Sequence, residues 1–249
     1  MRVALVCIAK NEDPYIQEWI DYNKKLGFDD IFIYQNDWRW EGDSENVHKF
    51  EIDGINKQRE AYNSFVRNHY NKYDWAAFFD VDEFLVLKKH ENIKSFISDY
   101  EEFQAIGINW VLFGNNDQVS VNNEYGVIKR FTKRQKDVNL HVKCIVKLSP
   151  TIHMGVHNPN SQWVDVHKRL NTGPFTITHT DDIAQINHYF CKTQEEFQLK
   201  CERGRADSTI NRTISEFDSH NFNEIEDLTA YNFFYNDINN LFNTQRDKL

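Results

Sequence analysis

The stretch Trp75-Ala76-Ala77-Phe78-Phe79-Asp80-Val81-Asp82-Glu83-Phe84 places three acidic residues directly after a run of apolar ones. Such a run is typical of a strand that is buried on both faces in a parallel sheet. Asp80 and Asp82 are therefore predicted at the carboxyl end of this strand, and their spacing of two residues points both side chains to one side. Open parallel sheets bind ligands beyond the carboxyl ends of their strands, which makes the two aspartates candidate ligand-binding residues.

The paired aspartates also predict a divalent cation. Two ionised carboxylates about 6 Å apart repel each other by roughly 3 kcal/mol at an effective dielectric constant near 20, and a bound cation reverses this cost. Oxygen ligands favour magnesium or manganese over zinc. Short Asp-x-Asp strings also occur in solvated turns, but the apolar Phe84-Leu85-Val86-Leu87 that follows argues against a solvated turn here.

The composition argues against several classes of protein. The chain has 249 residues, of which 40% are hydrophobic and 14% aromatic, enough to bury a sizeable core. Its formal net charge of -9 argues against a nucleic-acid-binding protein that relies on phosphate neutralisation. The cysteines form no CxxC pair and no secretory leader precedes the first strand, so we expect a cytoplasmic location.

The sequence predicts no membrane span, because no apolar stretch approaches 18 residues. Peripheral contact with the inner face of a membrane stays open through the aromatic stretch Tyr231-Asn232-Phe233-Phe234-Tyr235. The alternative for this stretch is a helix face packed against the core.

The first 110 residues alternate between strand and helix patterns, which predicts a parallel sheet with right-handed crossovers. The predicted strands are 3–9, 31–34, 47–52 and the run at Trp75, and the predicted helices are 13–27 and 54–70. Shorter strands are predicted beyond Tyr100, at 105–113, 125–132, 142–148, 175–178 and 185–188. A capping box of Thr193 and Glu196 opens a helix that ends near Gly204, and the last 30 residues have the pattern of one helix with a polar tail.

Polar residues also end the first strand, in Cys7-Ile8-Ala9-Lys10-Asn11-Glu12. The free backbone amides of the helix that follows favour an anion, and Asn11 and Glu12 can hydrogen-bond a base or a ribose. Plain capping of the helix is the alternative interpretation.

Two further groups of residues could complete a site near the carboxyl ends of the strands. His188 closes the last predicted strand and is a candidate third ligand for the cation. His153 and His157 form a second pair, able to bind an acceptor or a phosphate. Basic side chains surround the next helix and would place positive charge beside a diphosphate: Lys192, Lys200, Arg203 and Arg205. For Lys192 and Lys200, a solvated helix face is the alternative.

With these residues assembled, the chain resembles the GT-A glycosyltransferases, in particular their family 2-like and family 92-like group, once catalogued as a domain of unknown function. The matching segments keep the same order and span residues 3 to about 205. They are Ala9-Lys10-Asn11-Glu12, Glu18-Trp19-Ile20-Asp21-Tyr22, Gly27-Phe28-Asp29-Asp30-Ile31-Phe32-Ile33-Tyr34, Asp80-Val81-Asp82-Glu83-Phe84, Trp110 with Phe113-Gly114, His188-Tyr189, Glu195-Glu196-Phe197 and Arg203-Gly204. An ordered set of this kind is far more specific than any single motif.

The resemblance implies the α/β fold of the GT-A nucleotide-diphospho-sugar transferases. This fold has a mostly parallel central sheet flanked by helices, a smaller mixed sheet and a C-terminal helical portion. Residues 1–205 would form the GT-A domain, with a donor-binding half at about 1–110 and an acceptor-side half at about 111–205. Residues 206–249 would form a helical extension packed on the same domain.

The resemblance further implies that a sugar is transferred from a nucleoside-diphosphate sugar, here expected to be a UDP-sugar, to a hydroxyl of a glycan or glycolipid. The expected setting is the synthesis of a cell-surface polysaccharide or lipooligosaccharide. Mn²⁺ or Mg²⁺ would be held by Asp80, Asp82 and His188, with Asp82 as a direct ligand. The expected donor-binding residues are Ala9, Lys10, Asn11, Glu12, Tyr34, Asp80, Arg203 and Arg205.

An inverting transfer also needs a group that takes the proton of the acceptor hydroxyl. Asp117 is the preferred candidate, because the loop after Trp110 and Phe113-Gly114 should border the acceptor cleft. Three alternatives remain open: Asp181, Asp182 and His157. Of these residues, Trp110, His157 and Asp181 are also expected to contact the acceptor.

Two other functions are compatible with parts of the pattern. A haloacid-dehalogenase-like phosphatase also places two aspartates, one residue apart, after an apolar strand. That strand normally opens the chain, whereas here about 75 residues precede it, and Glu83-Phe84 stands where the phosphatase motif has Thr or Val. The other alternative is a non-catalytic module that binds nucleotide sugars.

Overall fold

A ten-stranded mixed sheet organises the computed structural model, which describes residues 1–121 and 126–236. Its strands are β1 (Val3–Ala9), β2 (Asp30–Gln35), β3 (Val47–Glu51), β4 (Trp75–Phe78), β5 (Glu83–Leu87), β6 (Ala105–Leu112), β8 (Val142–Lys147), β9 (Trp163–Val164), β10 (Leu170–Asn171) and β11 (Ala184–His188). A separate two-stranded sheet pairs β7 (Lys133–Arg134) with β12 (Ile225–Glu226). The helices are α1 (Ile16–Leu26), α2 (Gln58–His69), α3 (Ile93–Ser98), α4 (Val127–Arg130), α5 (Gln194–Arg203) and α6 (Ser215–His220), and residues 229–236 are also helical.

The strand order is β10-β9-β6-β8-β4-β1-β2-β3, and β11 pairs with both β5 and β6. The pairs β1–β2, β1–β4, β2–β3, β6–β9 and β6–β11 are parallel. The pairs that involve β8, together with β5–β11 and β9–β10, are antiparallel. The predicted α/β class with a mostly parallel central sheet is confirmed.

Both faces of the sheet are covered, which explains the continuous apolar runs of its strands. Along β1, Val3, Leu5 and Cys7 pack into one core, and the alternating residues from Ala4 to Ile8 pack into another. The first core includes Ile16, Trp19 and Ile20 of α1. The second includes Ala61, Tyr62 and Phe65 of α2.

A tight turn between β4 and β5 carries the paired aspartates. The Glu83 amide donates to the Asp80 carbonyl at 3.0 Å, and the Asp80 amide donates to the Glu83 carboxylate at 2.8 Å. The Tyr189 amide, just past β11, donates to the Asp82 carbonyl at 2.9 Å. The turn is therefore held both by its own atoms and by the strand end that carries His188.

The strand predicted at 125–132 is wrong over its described part, where residues Val127–Arg130 form α4; Tyr125 lies outside the described residues. The carboxylate of Glu18 accepts hydrogen bonds from the amides of Val127 at 2.6 Å and Ile128 at 3.5 Å. An acidic group at the first turn stabilises a helix by binding its free amides. Because Glu18 is more than 100 residues away in the sequence, no local pattern indicates this helix.

The strand predicted at 175–178 is also wrong. Phe175 makes only an isolated bridge to His141, and the Ile177 amide donates to the side chain of Asn171 instead of to a strand. Side-chain acceptors of this kind compete with strand pairing.

The last 30 residues are not one helix, because β12 precedes the helical residues 229–236; residues 237–249 lie outside the described part of the chain. Tyr231, Phe233, Phe234 and Tyr235 pack against the first core. This packing matches the interpretation of the aromatic stretch as a helix face. Within residues 1–121 and 126–236, no helix combines the length and apolar character needed to cross a membrane.

Candidate active site

A cavity of about 260 Å³ lies where β1, β4 and β11 end. The residues of the predicted site that line it are Ala9, Lys10, Glu12, Asp80, Asp82, Trp110, His157, His188, Lys200, Arg203 and Arg205. The turn after β4, the end of β1, the end of β11 and the end of α5 thus converge on one space. This is the position at which an open parallel sheet binds its ligand.

Asp82 is a buried carboxylate with a buried lysine beside it. The Lys200 ammonium donates to Asp82 Oδ2 at 2.7 Å and to the Phe190 carbonyl at 2.9 Å. Asp82 Oδ1 lies 3.6 Å from His188 Nε2. Burial alone would raise the pKa of Asp82, but Lys200 and then His188 hold it well below its ordinary value. Asp82 is therefore ionised.

Asp80 is compensated by a different lysine. Its Oδ2 accepts from the Lys143 ammonium at 2.9 Å, and its Oδ1 accepts from Gln58 at 2.8 Å. Burial opposes ionisation of Asp80, but Lys143 outweighs it and the pKa is lowered. The Lys143 side chain is fully buried and also lies 3.6 Å from the Glu83 carboxylate. Each aspartate of the turn thus has its own buried counter-ion.

Burial shifts the pKa values of Lys200 and His188, the two side chains beside the Asp82 carboxylate, toward their uncharged forms. It lowers the pKa of Lys200 to about 8 and lowers the pKa of His188. His188 Nδ1 is buried and has no hydrogen-bond partner among the described residues. A neutral imidazole carries hydrogen on one ring nitrogen, and the lone pair of the other nitrogen can coordinate a cation.

The donor set around the turn fits magnesium or manganese. Mg²⁺ in nucleotide sites is usually held by one or two carboxylates, and phosphate oxygens of the substrate supply further ligands. Asp80 and Asp82 provide the carboxylates, and His188 faces Asp82 across 3.6 Å. Across residues 1–121 and 126–236, no three His, Cys, Asp or Glu side chains are grouped closely enough to form a metal site by themselves. A cation at this turn would therefore depend on ligands from the bound substrate.

Trp110 forms one side of the cavity together with three histidines. Its ring centroid lies 4.9 Å from that of His141, 5.2 Å from His157 and 4.3 Å from His188. Trp110 Nε1 is buried and has no hydrogen-bond partner in the described part of the chain. An aromatic face with unused polar groups is a suitable surface for a sugar, which presents both C–H groups and hydroxyls.

The arginines that line the cavity from α5 and the loop after it are partly paired. Arg203 donates to a Glu12 carboxylate oxygen and, at 2.8 Å, to the Lys10 carbonyl. Arg205 binds both carboxylate oxygens of Glu216, at 2.9 and 2.7 Å. Arg212 also lines the cavity, donates to the Gly204 carbonyl at 3.2 Å, and has a buried Nε without a partner among the described residues.

Several residues of the predicted site lie outside the lining of this cavity. Tyr34 is buried and stacks on Phe50 with ring centroids 5.4 Å apart. Asn11 lines a neighbouring cavity instead. Asp117 is an exposed residue 3.6 Å from Lys133, so its loop does not bring it to this cavity.

The two aspartates proposed as alternatives to Asp117 are likewise placed elsewhere. Asp181 pairs with Lys88 at 3.0 Å and Arg134 at 3.1 Å, and Asp182 binds His167 at 2.9 Å. Of the candidates for the proton acceptor, His157 is the one that lines the cavity.

Among the residues that line the cavity or support it, sequence reasoning missed Gln58, His141, Lys143 and Arg212. Lys143 had a signal, because a lysine inside the apolar run Val142–Lys147 implies a buried partner. Gln58 and Arg212 had no such signal in the sequence. Polar residues are common on amphipathic helices, where Gln58 lies, and in polar loops, where Arg212 lies. Lys192 and Lys200, for which a solvated face was the alternative, are both buried.

Glu196 anchors the helix that carries Lys200 and Arg203. Its Oε1 and Oε2 accept from Arg130 at 2.8 and 2.6 Å, and Oε1 also accepts from the Tyr15 hydroxyl at 2.6 Å. The predicted capping box with Thr193 is confirmed. Burial opposes ionisation of Glu196, but Arg130 and Thr193 outweigh it and lower its pKa to about 2.

We expect this carboxylate to contribute stability that acid removes. Its folded pKa of about 2 lies below the unfolded value, so the contribution is complete above about pH 4.3 and is lost as the pH falls toward 2. The difference in unfolding free energy between the wild type and Glu196→Gln should shrink by about 2 kcal/mol from pH 6 to pH 3. Urea unfolding at several pH values measures it, with the exposed Glu195→Gln as control. A constant difference for Glu196→Gln would contradict the expectation.

Comparison with known families identifies the family of the chain. A family model described as Glycosyltransferase family 92 matches residues 36–220. The chain belongs to glycosyltransferase family 92. The match covers the aspartate turn, Trp110, the histidines and α5, and it argues against the phosphatase alternative.

Curated relatives of this family 92 chain come from plants. A family 92 protein of Arabidopsis thaliana is 25% identical over 224 residues, which cover 81% of this chain and 37% of the relative. A family 92 protein of Ricinus communis is 25% identical over 214 residues, which cover 76% of this chain and 35% of the relative. The chain thus spans little more than a third of the length of these two relatives.

Solved structures resemble the family 92 chain only weakly. S. aureus TarS 1–349 has a TM-score of 0.38 and 10% identity, covering 95% of this chain and 72% of that one. HddC from Yersinia pseudotuberculosis has a TM-score of 0.34 and 8% identity, covering 58% of this chain and 76% of that one. The α/β class of the family 92 chain is given by its own strand order and helices.

Proposed function

We propose that the protein is a metal-dependent glycosyltransferase that moves a sugar from a UDP-sugar to a hydroxyl group of a glycan or glycolipid. The observation that carries the proposal is the turn of Asp80 and Asp82, which lines the cavity at the carboxyl end of β4. Family membership and the arginines that line the cavity support it.

In this proposal the end of β1 binds the nucleoside and α5 binds the phosphates. Ala9, Lys10 and Glu12 line the cavity next to Asp80. Arg203, Arg205 and Arg212 line it from α5 and the loop that follows, where guanidinium groups suit phosphate oxygens. These contacts orient the donor and place positive charge beside the leaving diphosphate.

Asp80, Asp82 and His188 would hold the divalent cation together with oxygen ligands from the bound donor, since these side chains do not form a metal site by themselves. Magnesium or manganese supplies positive charge that offsets the negative charge developing on the diphosphate as the glycosidic bond of the donor breaks. Lys200 and Lys143 keep the two carboxylates ionised and fixed in place.

His157 is the group we propose to take the acceptor proton. Its Nδ1 lies 3.2 Å from the Val142 carbonyl, which can only accept, so Nδ1 carries the hydrogen and Nε2 keeps its lone pair. Burial and then Lys143 lower the pKa of His157 to about 3, which leaves the ring neutral but weakly basic. The proposed role therefore requires that the negative charge of the bound donor diphosphate raises this pKa. Trp110 lies beside His157 and would bind the acceptor sugar.

The cellular setting belongs to the same proposal. We infer a role in assembling a cell-surface polysaccharide or lipooligosaccharide at the cytoplasmic face of a membrane. A glycolipid acceptor would account for peripheral association with that face.

A donor panel tests the proposed activity. Purified protein is incubated with UDP-, GDP- and dTDP-sugars in the presence of Mn²⁺ or Mg²⁺, with and without EDTA, and release of nucleoside diphosphate is measured with a panel of acceptor glycans. We expect turnover with a UDP-sugar that EDTA abolishes. Tight donor binding with no turnover on any acceptor would favour the non-catalytic module, and phosphate release from small phosphoesters would favour a phosphatase.

The role of His157 is tested in the same assay. We expect His157→Gln to lower kcat by about 10² to 10⁴-fold while donor affinity stays within about threefold, because the residue acts on the acceptor proton. His153→Gln is the matched control, since His153 is an exposed residue of the same segment. Loss of less than tenfold in kcat would remove His157 from this role.

A further inference from the structure

A second cavity, of about 470 Å³, adjoins the candidate active site. Lys200 and Arg203 line both cavities, so the end of α5 separates them. The second cavity is also lined by Asn11, Tyr15, Lys192 and Leu199, whereas the paired aspartates and Trp110 belong to the first cavity. Its chemistry is therefore different from that of the proposed transfer site.

Lys192 is the unusual residue of this cavity. Its side chain is only 5% exposed, and among the described residues its ammonium donates no hydrogen bond. It lies 3.8 Å from the Tyr15 ring centroid and 4.0 Å from Glu12 Oε2. An ammonium has three donors, and Glu12 at this distance is the only carboxylate of the described residues that pairs with Lys192. A group bound in the cavity could therefore accept hydrogen bonds from Lys192.

The backbone holds Lys192 in this position at some cost. Its φ of 53° lies in the left-handed region, which costs a residue with a side chain about 1 kcal/mol or more. The preceding β11 and the cap residue Thr193 fix the chain on either side. The Cα atom of Lys192 is therefore held at the edge of the cavity by the chain on either side of it.

The charges around Lys192 leave an excess of positive charge. Glu12 is the carboxylate nearest to it, but the other oxygen of Glu12 is bound by Arg203. The Glu12 carboxylate thus pairs with two cations, Lys192 and Arg203. Glu196, which also lines the cavity, is neutralised by Arg130, and Glu202 is exposed.

We propose that the second cavity is a binding site for a phosphate group, held by the ammonium of Lys192 together with Arg203. Such an oxyanion supplies the missing hydrogen-bond acceptors and balances the excess charge. The phosphate could be free inorganic phosphate or a phosphate of the nucleotide donor, since Arg203 and Lys200 line both cavities. The second source rests on the proposed function, and the first does not.

Binding of inorganic phosphate to the full chain tests the proposal by isothermal titration calorimetry. We expect Lys192→Met to weaken phosphate binding at least tenfold and Lys192→Arg to retain it. The control is Lys89→Met, because Lys89 is an exposed lysine that lines neither cavity. Two outcomes would overturn the proposal. In the first, wild type and Lys192→Met bind phosphate with equal affinity. In the second, the wild type binds no phosphate and Lys192→Met has the same affinity for UDP as the wild type.

A second variant keeps the test valid if Lys192→Met does not fold. Leu199 lines the cavity and is 57% exposed, so Leu199→Glu adds a negative charge at little structural cost. It should weaken phosphate binding at least fivefold, whereas Leu199→Gln should not, and equal affinity in the two variants would contradict the proposal.

Competition between UDP and inorganic phosphate identifies the source of the bound phosphate. Loss of phosphate binding in saturating UDP assigns the site to the donor, and unchanged binding assigns it to a separate anion. Sugar transfer without any effect of Lys192→Met on phosphate or UDP binding refutes this inference alone. Phosphate binding that depends on Lys192, without sugar transfer, refutes the proposed function alone.

Discussion

Asp82→Asn is expected to lower kcat/KM for sugar transfer by at least about 10²-fold. The asparagine keeps the size of the side chain but removes the charge that lies next to Lys200 and His188. Both the electrostatic balance of the turn and a proposed cation ligand are lost. Initial rates at several donor concentrations measure the change in kcat/KM. Calorimetry with and without Mn²⁺ measures the affinity for UDP.

The control for this substitution is Asp137→Asn, since Asp137 is an exposed aspartate that does not line the cavity. Far-UV circular dichroism and thermal melting establish that the Asp82 variant is folded. If the folded Asp82→Asn protein keeps more than a tenth of the wild-type kcat/KM, Asp82 has no part in the reaction. A lost dependence of UDP affinity on Mn²⁺ would locate the effect at the proposed cation ligand.

Lys143→Met is expected to have the largest effect on stability. Lys143 is fully buried and contacts Asp80 at 2.9 Å and Glu83 at 3.6 Å. Burial favours the neutral form of Lys143, but the Asp80 carboxylate outweighs it and raises the pKa of Lys143 well above its ordinary value. Burial raises the pKa of Glu83, so Asp80 at 2.9 Å is the charged partner of Lys143. Removal of one partner of such a buried pair costs about 3 to 5 kcal/mol, because the remaining charge is left without compensation. Urea unfolding at pH 7 measures the loss.

A double-mutant cycle identifies the cause of this loss. Lys143→Met combined with Asp80→Asn should be less destabilised than the sum of the two single variants, because neither charge is then left alone. Lys147→Met, on the same strand, is the matched control and should lose about 1 kcal/mol or less, since Lys147 is only partly buried. Additive single effects would show that Lys143 acts through packing and not through charge.

The sequence predicted those parts of the fold that local patterns specify. The apolar runs of β1, β2 and β4 are buried on both faces, and the Thr193–Glu196 capping box forms as predicted. Position within a parallel sheet then brings the end of β1 close to the aspartate turn. His188 reaches the same cavity through the pairing of β11 with β6.

The remaining features depend on contacts between distant parts of the chain. Glu18 makes α4 a helix although the local pattern predicted a strand. Asp117 follows β6 on a loop that carries it away from the cavity, toward Lys133. Gln58 and Lys143 bind Asp80 from elements that lie 22 and 63 residues away. The lysine inside the apolar run of β8 indicates a buried partner, but the pattern of a single sequence does not identify which residue that partner is.

The buried counter-ions limit how far the chain can be divided. Asp80 and Asp82 belong to the proposed donor half at about 1–110, but Lys143 and Lys200 come from later in the chain. A fragment that ended after β6 would contain two aspartates without their compensating cations and β4 without its neighbour β8. The donor half is therefore not an independent module that recombination could transfer to another protein. It depends on the acceptor half for its ionisation state as well as for its packing.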